Sequence, residues 1–329
     1  MPDRVLVTGA AGHVGRAVLD LLARENVAAT ALVLPPGDGA PGDGAPGGGP
    51  SGGGLPGGGV SQGGASGGGV SGGGPPGGHL GGELPADRVV VGDARDPDVV
   101  AEAMKGADGV IHLAALPSPR LGTPEDVFTG NARATFVVLE EAGRRGVGNA
   151  VIASSYAIGG LPFAVRPTSP PYLPVDVATP LRITDPYALS KRADEATAEM
   201  MALRHRMTTV ALRFPFVGDA ERRLPETAAR YARSPEAGAA DLWSYLDIRD
   251  AARALLLSLS VTVPGSHVLY VAAPETLSPL PTEHLLDLCH PGVPRRRRFP
   301  GRTVPIDLEP ASALLGFTAR HLHPVPAED

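Results

Sequence analysis

The chain has 329 residues, 43% of them hydrophobic, which is enough for a large core in one big domain or two closely packed ones. A formal net charge of −6 and a pI of about 5.9 argue against a dedicated nucleic-acid binder, which usually presents a basic face. The lone cysteine, Cys289, cannot form an intrachain disulfide, and no signal peptide or membrane span is visible. The composition predicts a cytoplasmic protein without nucleic-acid or membrane partners.

Strands and helices alternate along the first half of the chain. A helix between successive strands is typical of βαβ units, which build a parallel sheet with helices on both faces. The predicted fold class is therefore α/β with a doubly wound parallel sheet. Short apolar runs predict strands at 4–8, 27–34, 87–93, 109–115 and 149–155, and helical spacing predicts helices at 14–26, 97–106, 123–146 and from 184 onward.

A low-complexity tract over residues 35–86 follows the second strand. It holds more than half of the 44 glycines, at irregular spacing that excludes a collagen period. Few of its side chains can bury apolar surface, so we predict a disordered insertion. GVSQG at 59–63 and GVSGG at 69–73 match the G-x-S-x-G elbow of hydrolases, but they lack the strand and helix that this motif requires. We interpret both as accidents of composition.

A glycine loop, TGAAGHVG, joins the first strand to the first helix through Gly9, Gly12 and Gly15. Glycine allows a pyrophosphate to approach the backbone, and the following helix offers free N–H groups and the positive end of its dipole. The loop therefore predicts a dinucleotide site. The second strand ends LVLPPGD, without the acidic or basic residue that usually selects NAD or NADP, so this choice stays open.

Tyr187 and Lys191 are four residues apart in DPYALSK and share one face of a predicted helix. A free phenol has a pKa of about 10 and is a poor base at neutral pH, but a nearby ammonium favours the phenolate. Ser154 and Ser155 end the fifth strand, at the edge of the sheet where doubly wound proteins bind ligands. A serine there can bond the same substrate oxygen as Tyr187, and we favour a local structural role for Ser154.

Together these motifs resemble an extended short-chain dehydrogenase/reductase of the NAD-dependent epimerase/dehydratase family. The resemblance extends over most of the chain outside the tract. It rests on TGAAGHVG, VVVGDARD, VIHLAA, NARAT, SSYAIGG, DPYALSK, LRFPFVGD, WSYLDIRDAARA and ALLGF, in this order.

The resemblance implies a Rossmann domain over residues 1–218 and a smaller, mainly substrate-binding domain over 219–329, from which 243–260 returns to the core. Ser155, Tyr187 and Lys191 would be the catalytic residues. Gly159 stands where many nucleotide-sugar members carry tyrosine, which weakens that substrate assignment. The implied cofactor-binding residues are Gly9, Gly12, His13, Val14, Gly15, Asp93, Ala94, Leu113, Ala114, Ala115, Asn131, Tyr187, Lys191 and Pro215.

The function implied is hydride transfer between NAD or NADP, with a slight preference for NAD, and a hydroxyl- or carbonyl-bearing carbon of a small-molecule substrate, such as a sugar or nucleotide-sugar. A non-catalytic dinucleotide sensor that binds partner proteins is the alternative. We expect no metal, because no cluster of ligands has metal-site spacing. We interpret RRRRF at 295–299 as a solvated surface segment and His112 as structural, and a homodimer is compatible with the sequence.

Overall fold

A computed structural model describes residues 2–35 and 83–324. Most of the predicted insertion lies outside these residues, but its last part, 83–86, does not. Leu84 packs against the hydrophobic core, and the Ala86 N–H donates to the Leu84 carbonyl over 2.7 Å. The predicted tract therefore extends too far at its C-terminal end, because an apolar side chain with a packed surface belongs to the fold.

The predicted alternation of strands and helices is observed, with ends that shift by a few residues. The strand predicted over 109–115 is shorter, because the chain leaves the sheet after His112. The strands are β1 (Arg4–Thr8), β2 (Ala28–Val33), β3 (Arg88–Val91), β4 (Gly109–His112), β5 (Asn149–Ser155), β6 (Thr208–Phe214), β7 (Phe216–Gly218), β8 (Tyr245–Asp247) and β9 (Ser266–Tyr270). The helices are α1 (His13–Arg24), α2 (Pro97–Ala103), α3 (Pro124–Arg144), α4 (Pro186–His205), α5 (Arg223–Arg233), α6 (Ile248–Ser258), α7 (Thr282–Cys289) and α8 (Glu309–Leu315).

Seven parallel strands form the main sheet, in the order β3-β2-β1-β4-β5-β6-β9. The order reverses direction between β1 and β4, which is the point where doubly wound sheets bind ligands. The predicted Rossmann fold class is confirmed. One detail of the domain division is wrong: Ser266–Tyr270 does not belong to the smaller domain but pairs with β6 as an edge strand of the main sheet.

The two faces of the sheet carry separate apolar layers, because successive strand side chains point to opposite sides. Val5 and Val7 of β1 join the layer under α1 and α6, while Leu6 joins the layer under α2, α3 and α4. Within the described residues, no helix is long and apolar enough to cross a membrane.

A smaller unit forms beyond β6 around the parallel pair β7–β8. It adds α5, α7 and α8, and Trp243 and Tyr231 are fully buried in it. The loop between β5 and α4 is joined to this unit by backbone hydrogen bonds: the Leu173 N–H donates to Pro294, and the Val175 N–H donates to Pro305. The segment that separates Ser155 from Tyr187 is thus anchored against the C-terminal part of the chain.

Candidate active site

The glycine loop is packed so tightly that two of its glycines have no room for a side chain. A Cβ on Gly9 would lie 2.8 Å from the backbone nitrogen of Ala114, and Gly9 has a φ of +65°, which favours glycine. A Cβ on Gly15 would lie 2.4 Å from the Gly9 carbonyl oxygen. At Gly12 the nearest atom is the same oxygen, at 3.2 Å. Gly9 and Gly15 therefore shape the loop, while Gly12 leaves space on its open side.

The N-terminus of α1 lies directly after this loop. Gly12 is the N-cap residue, and no side chain caps the helix. The first N–H groups of a helix lack partners within the helix, and together with the dipole they favour an anion. His13 and Val14 supply these groups, as the sequence predicted. The His13 imidazole lies 3.6 Å from Asp219, so this helix start also faces the smaller unit.

The loop after β3 carries Asp93 and Ala94. Asp93 accepts hydrogen bonds from both the backbone and the guanidinium of Arg95, and the Arg95 side chain holds the pKa of that carboxyl below its ordinary value. Ala94 is buried beneath it. At the end of neighbouring β2, Leu34 is exposed and no charged side chain follows within the described residues. The described residues after β2 therefore include no acidic or basic side chain, through Pro35, that could select NAD or NADP.

A buried hydrogen-bond network supports the loop at Leu113–Ala115. The N–H groups of Leu113 and Ala114 both donate to the Thr8 hydroxyl over 3.2 Å. The Thr8 hydroxyl in turn donates a hydrogen bond to Nδ1 of His112 over 2.7 Å. This assigns the ring proton of His112 to Nε2, which donates a hydrogen bond to the Thr135 hydroxyl over 3.1 Å. Burial, with a contribution from Lys191, lowers the pKa of His112 to about 3, so the ring stays neutral. The structural role proposed for His112 agrees with this geometry.

Asn131 lies on α3 and is almost fully buried. Its amide accepts from the Leu116 N–H and donates to the Leu116 carbonyl, and it also donates to the Ser190 hydroxyl. Ser190 donates to the Tyr187 carbonyl over 2.8 Å. Asn131 therefore connects the loop after β4 with the first turn of α4, which fits the supporting role that the resemblance implied.

Ser155 ends β5, and Tyr187 and Lys191 lie in the first turns of α4, which packs against β5. Tyr187 shares a small apolar cluster with Ala157, two residues after Ser155. Asp185 caps α4 by accepting from the Ala188 N–H over 2.8 Å, and this sets the first helical turn that carries Tyr187. The Ser155 hydroxyl oxygen accepts from the Ala157 N–H over 3.1 Å, so its proton remains available for another acceptor. The Lys191 ammonium lies 5.8 Å from the centre of the Tyr187 ring.

Ser154 points to the other side of β5 and donates to Glu195 over 2.6 Å. The two carboxylate oxygens of Glu195 also accept hydrogen bonds from Nε and Nη2 of Arg213, over 2.8 and 2.9 Å. Ser154 thus belongs to a buried structural cluster, in agreement with the interpretation from the sequence.

One carboxylate beside the site was missed by the sequence analysis. Asp194 binds the Lys191 ammonium over 3.1 Å, and both side chains are buried. Burial disfavours the ammonium, but Asp194, Tyr187 and Glu195 together outweigh it, and the pKa of Lys191 lies above its ordinary value. A spacing of three residues on a helix predicts such a pair, but it does not distinguish a buried pair from an exposed one.

The rest of the pocket wall comes from the loop after β5 and from the end of β6. The ring of Phe163 meets the ring of Tyr187 edge to face, with centroids 5.9 Å apart. Pro215 is half-buried between β6 and β7. Farther away, three arginines of the run, Arg296, Arg297 and Arg298, are exposed to solvent as expected, while Arg295 pairs with Glu283 and Asp287.

No group of three or more potential metal ligands occurs within residues 2–35 and 83–324.

Comparisons with known proteins agree with this geometry. The family model described as "NAD dependent epimerase/dehydratase family" matches residues 5–270. A curated relative, L-arabinose 1-dehydrogenase (NAD(P)(+)) of Haloferax volcanii, is 31% identical over 155 residues, which cover 44% of this chain and 61% of the relative, less than two thirds of its length.

Two solved structures show the same fold over almost the whole chain. One is a short-chain dehydrogenase/reductase superfamily protein from Agrobacterium tumefaciens with bound NAD, with 23% identity, a TM-score of 0.63, and coverage of 97% of this chain and 93% of that one. The other is UDP-glucose 4-epimerase from Brucella ovis in complex with NAD, with 18% identity, a TM-score of 0.62, and coverage of 97% and 94%.

Proposed function

Because the chain belongs to the NAD-dependent epimerase/dehydratase family, we propose that it is an NAD(P)-dependent oxidoreductase or epimerase/dehydratase acting at a hydroxyl- or carbonyl-bearing carbon of a sugar or nucleotide-sugar. Family membership favours an enzyme over the non-catalytic dinucleotide sensor. The observation that carries the proposal is the placement of Ser155 at the carboxyl end of β5 and of Tyr187 and Lys191 on the first turns of α4, which packs against β5. This end of β5 lies on the same edge of the sheet as the glycine loop.

The residues around the loop fit a dinucleotide. The glycines leave no side chain between the backbone and the start of α1, and that helix start has no side-chain cap. Its N–H groups would hold the pyrophosphate, Asp93 and Ala94 would lie along the adenine, and the segments at Leu113 and Pro215 would line the rest of the groove. When bound, the cofactor supplies a hydride acceptor or donor.

The proton is handled by the chain's own residues. In the oxidising direction Tyr187 takes the proton of the substrate hydroxyl, and in the reducing direction it returns that proton to the carbonyl oxygen. Lys191 places a positive charge 5.8 Å from the centre of the Tyr187 ring, beside the group that exchanges the proton. The free proton of Ser155 bonds the same substrate oxygen and holds it in line with Tyr187.

The sugar-like substrate class is supported by the relatives. The curated relative is named for L-arabinose, and the Brucella ovis structure is named for UDP-glucose. A screen of pentoses, hexoses, uronates and UDP-sugars with NAD and NADP, followed at the nicotinamide absorbance, tests the proposal. Epimerisation leaves no net absorbance change, so UDP-sugar products are also separated by chromatography. Lack of any turnover across the panel would contradict the proposed function.

We propose a slight preference for NAD. The nearest arginine after β3, Arg95, is already engaged with Asp93, and Arg133 donates to the Arg95 carbonyl over 3.1 Å. Arg95 is therefore not poised for the additional phosphate of NADP. Calorimetric titration with both cofactors tests this preference, and tighter binding of NADP would contradict it.

Replacement of Ser155 by alanine tests the role given to its hydroxyl. A hydrogen bond to a developing charge contributes about 1.5–3 kcal/mol, so we expect turnover to fall by about 10- to 100-fold with little change in cofactor affinity. Ser154→Ala is the matched control, because that serine bonds Glu195 on the other side of the strand. It should lower the melting temperature and keep turnover near the wild-type value. Equal losses of turnover in the two variants would contradict the assignment.

We also propose a homodimer formed through α3 and α4, which pack side by side. Phe136 on α3 is exposed, and α4 carries small and apolar residues at the spacing of one helix face. We expect Met200→Glu to convert a dimer to a monomer in sedimentation velocity, while Val263→Glu, on a loop away from this face, leaves the mass unchanged. A wild-type monomer would contradict the proposal. The residues of this face on α4 are Leu189, Ala193, Ala196, Met200 and Leu203.

We propose a cytoplasmic location, supported by the free thiol of the lone Cys289. We further propose that the smaller unit within 219–329 supplies most substrate contacts, because it closes against the loop that separates Ser155 from Tyr187. Fractionation of cells that express the protein tests the first proposal. Exchange of this unit with that of a relative of known substrate tests the second.

A further inference from the structure

Lys191 and Asp194 form a buried ion pair one turn into the catalytic helix. Their charged atoms lie 3.1 Å apart, and their side chains are only 6% and 2% exposed. Removal of a single partner from such a pair leaves an uncompensated buried charge, which is strongly unfavourable. The state of Lys191 therefore depends on Asp194.

The surroundings show that this pair is directed toward the chemistry. On one side, the Lys191 ammonium faces the ring of Tyr187. On the other side, the Thr135 hydroxyl of α3 and His112 of β4 approach the pair. Burial raises the pKa of Asp194 above its ordinary value, and Lys191 and Thr135 oppose this shift, so the carboxylate and the ammonium depend on each other. The second oxygen of Asp194 has no hydrogen-bond partner among the described residues.

Glu195, the next residue, is equally buried but binds a different cation. Its two oxygens bind the Arg213 guanidinium, and one of them also accepts from Ser154. It acts on Lys191 only weakly, through space. The two adjacent carboxylates thus pair with different cations. Glu195 binds Arg213, whereas Asp194 binds Lys191, the cation beside Tyr187.

We propose that Asp194 is a positioning residue that keeps the Lys191 ammonium charged and fixed beside Tyr187. This inference rests on the proposed function. A buried amine without a counter-charge prefers its neutral form, and a neutral amine does not favour a phenolate. Asp194 thus acts on the reaction through Lys191 and touches neither substrate nor cofactor.

The first test compares the pH dependence of turnover in the wild type and three variants. In Asp194→Asn the alkaline decline in kcat should begin at least about one pH unit lower, and turnover should fall at least about tenfold at the wild-type optimum. Asp194→Glu restores the carboxylate and should recover the profile. Glu195→Gln should lose stability but keep the wild-type profile. A wild-type profile in folded Asp194→Asn, or an equal shift in Glu195→Gln, would overturn the proposal.

The second test needs neither substrate nor cofactor. Without the carboxylate, burial holds the pKa of Lys191 in the folded state below its unfolded value of about 10.4, so folding then disfavours the charged form. The stability deficit of Asp194→Asn relative to wild type should therefore shrink as the pH rises from about 8 toward about 10.4. The deficit of Glu195→Gln should stay constant, because the partner Arg213 does not deprotonate. Parallel deficits in denaturant unfolding would contradict the pairing.

A double variant covers the case in which Asp194→Asn does not fold. Lys191→Met/Asp194→Asn removes the stranded ammonium together with its partner, so it should be more stable than Asp194→Asn alone. Equal instability of the two would overturn the proposal. If the wild type turns over no substrate, the proposed function fails while the unfolding tests still decide the pairing. If the wild type is active and Asp194→Asn matches it, only the role of Asp194 fails.

Discussion

Tyr187→Phe should abolish most turnover while the protein stays folded. The substitution removes one oxygen from a side chain that is 8% exposed, and the ring keeps its edge-to-face contact with Phe163. Without the phenol no group in the site exchanges the proton of the substrate hydroxyl, so we expect kcat to fall by about 10²- to 10⁴-fold. Rates at saturating cofactor, on a substrate found in the screen, measure this loss.

The control is Tyr245→Phe, a matched change outside the site. The Tyr245 hydroxyl accepts from the His323 N–H over 2.9 Å, so its loss affects stability and not proton transfer. Calorimetry should show that cofactor affinity is retained in both variants. A Tyr187→Phe protein with more than about a tenth of wild-type turnover would contradict the mechanism, because that loss is smaller than the removal of a general acid or base produces.

Gly12→Val should lose cofactor binding and still fold. Gly12 has an extended backbone, with φ of −69° and ψ of 170°, and its nearest obstacle is a carbonyl oxygen 3.2 Å from a new Cβ. A shift of the Gly9 carbonyl by a few tenths of an ångström would have to accommodate the new Cβ, and the branched group would occupy the space where a pyrophosphate meets the start of α1. We expect the Kd for NAD to rise by at least about 100-fold, or about 2.8 kcal/mol.

Two other glycines provide the comparison for this experiment. At Gly148 nothing lies within 4 Å of a new Cβ, so Gly148→Val should leave binding and folding unchanged. At Gly15 a Cβ would meet backbone atoms at 2.4 and 2.7 Å, so Gly15→Val should destabilise the fold itself. Circular dichroism and calorimetry separate the two effects. Normal NAD binding in folded Gly12→Val would show that the loop has another purpose.

The sequence predicted those features that depend on local patterns. The glycine loop, the helix that carries Tyr187 and the alternation of apolar strands with amphipathic helices each lie within a short window, and each is found within a few residues of its predicted place. The pairing of strands that are far apart in the sequence was harder to predict. Nothing in SHVLY at 266–270 indicates that it returns to pair with β6, because an apolar strand of this length fits either domain.

The polar network behind the site could also not be predicted from the sequence. Thr8, His112 and Thr135 come from three separate elements, and their contacts depend on the packing of α3 against β4. Asp194 could be placed near Lys191 by helical spacing, yet its burial follows from α3 covering this face of α4. Local patterns predicted the groups that carry the chemistry, whereas tertiary packing determines the groups that support them.

The strand order separates the part of the site proposed for the adenosine of the cofactor from the part proposed for proton transfer. In the proposed function the adenosine of the cofactor would lie at the ends of β2 and β3, and the residues proposed for proton transfer lie at β5 and α4, with β1 and β4 between them. Within the described residues, β3 is an edge strand that pairs with β2, so the two strands that the residues between Pro35 and Glu83 connect in the sequence form one margin of the sheet. Lengthening such a connection costs only about 0.6 kcal/mol for each doubling. If the proposed function holds, the margin that would receive the adenosine can therefore change in length at low cost, while the half proposed to carry out the reaction stays the same.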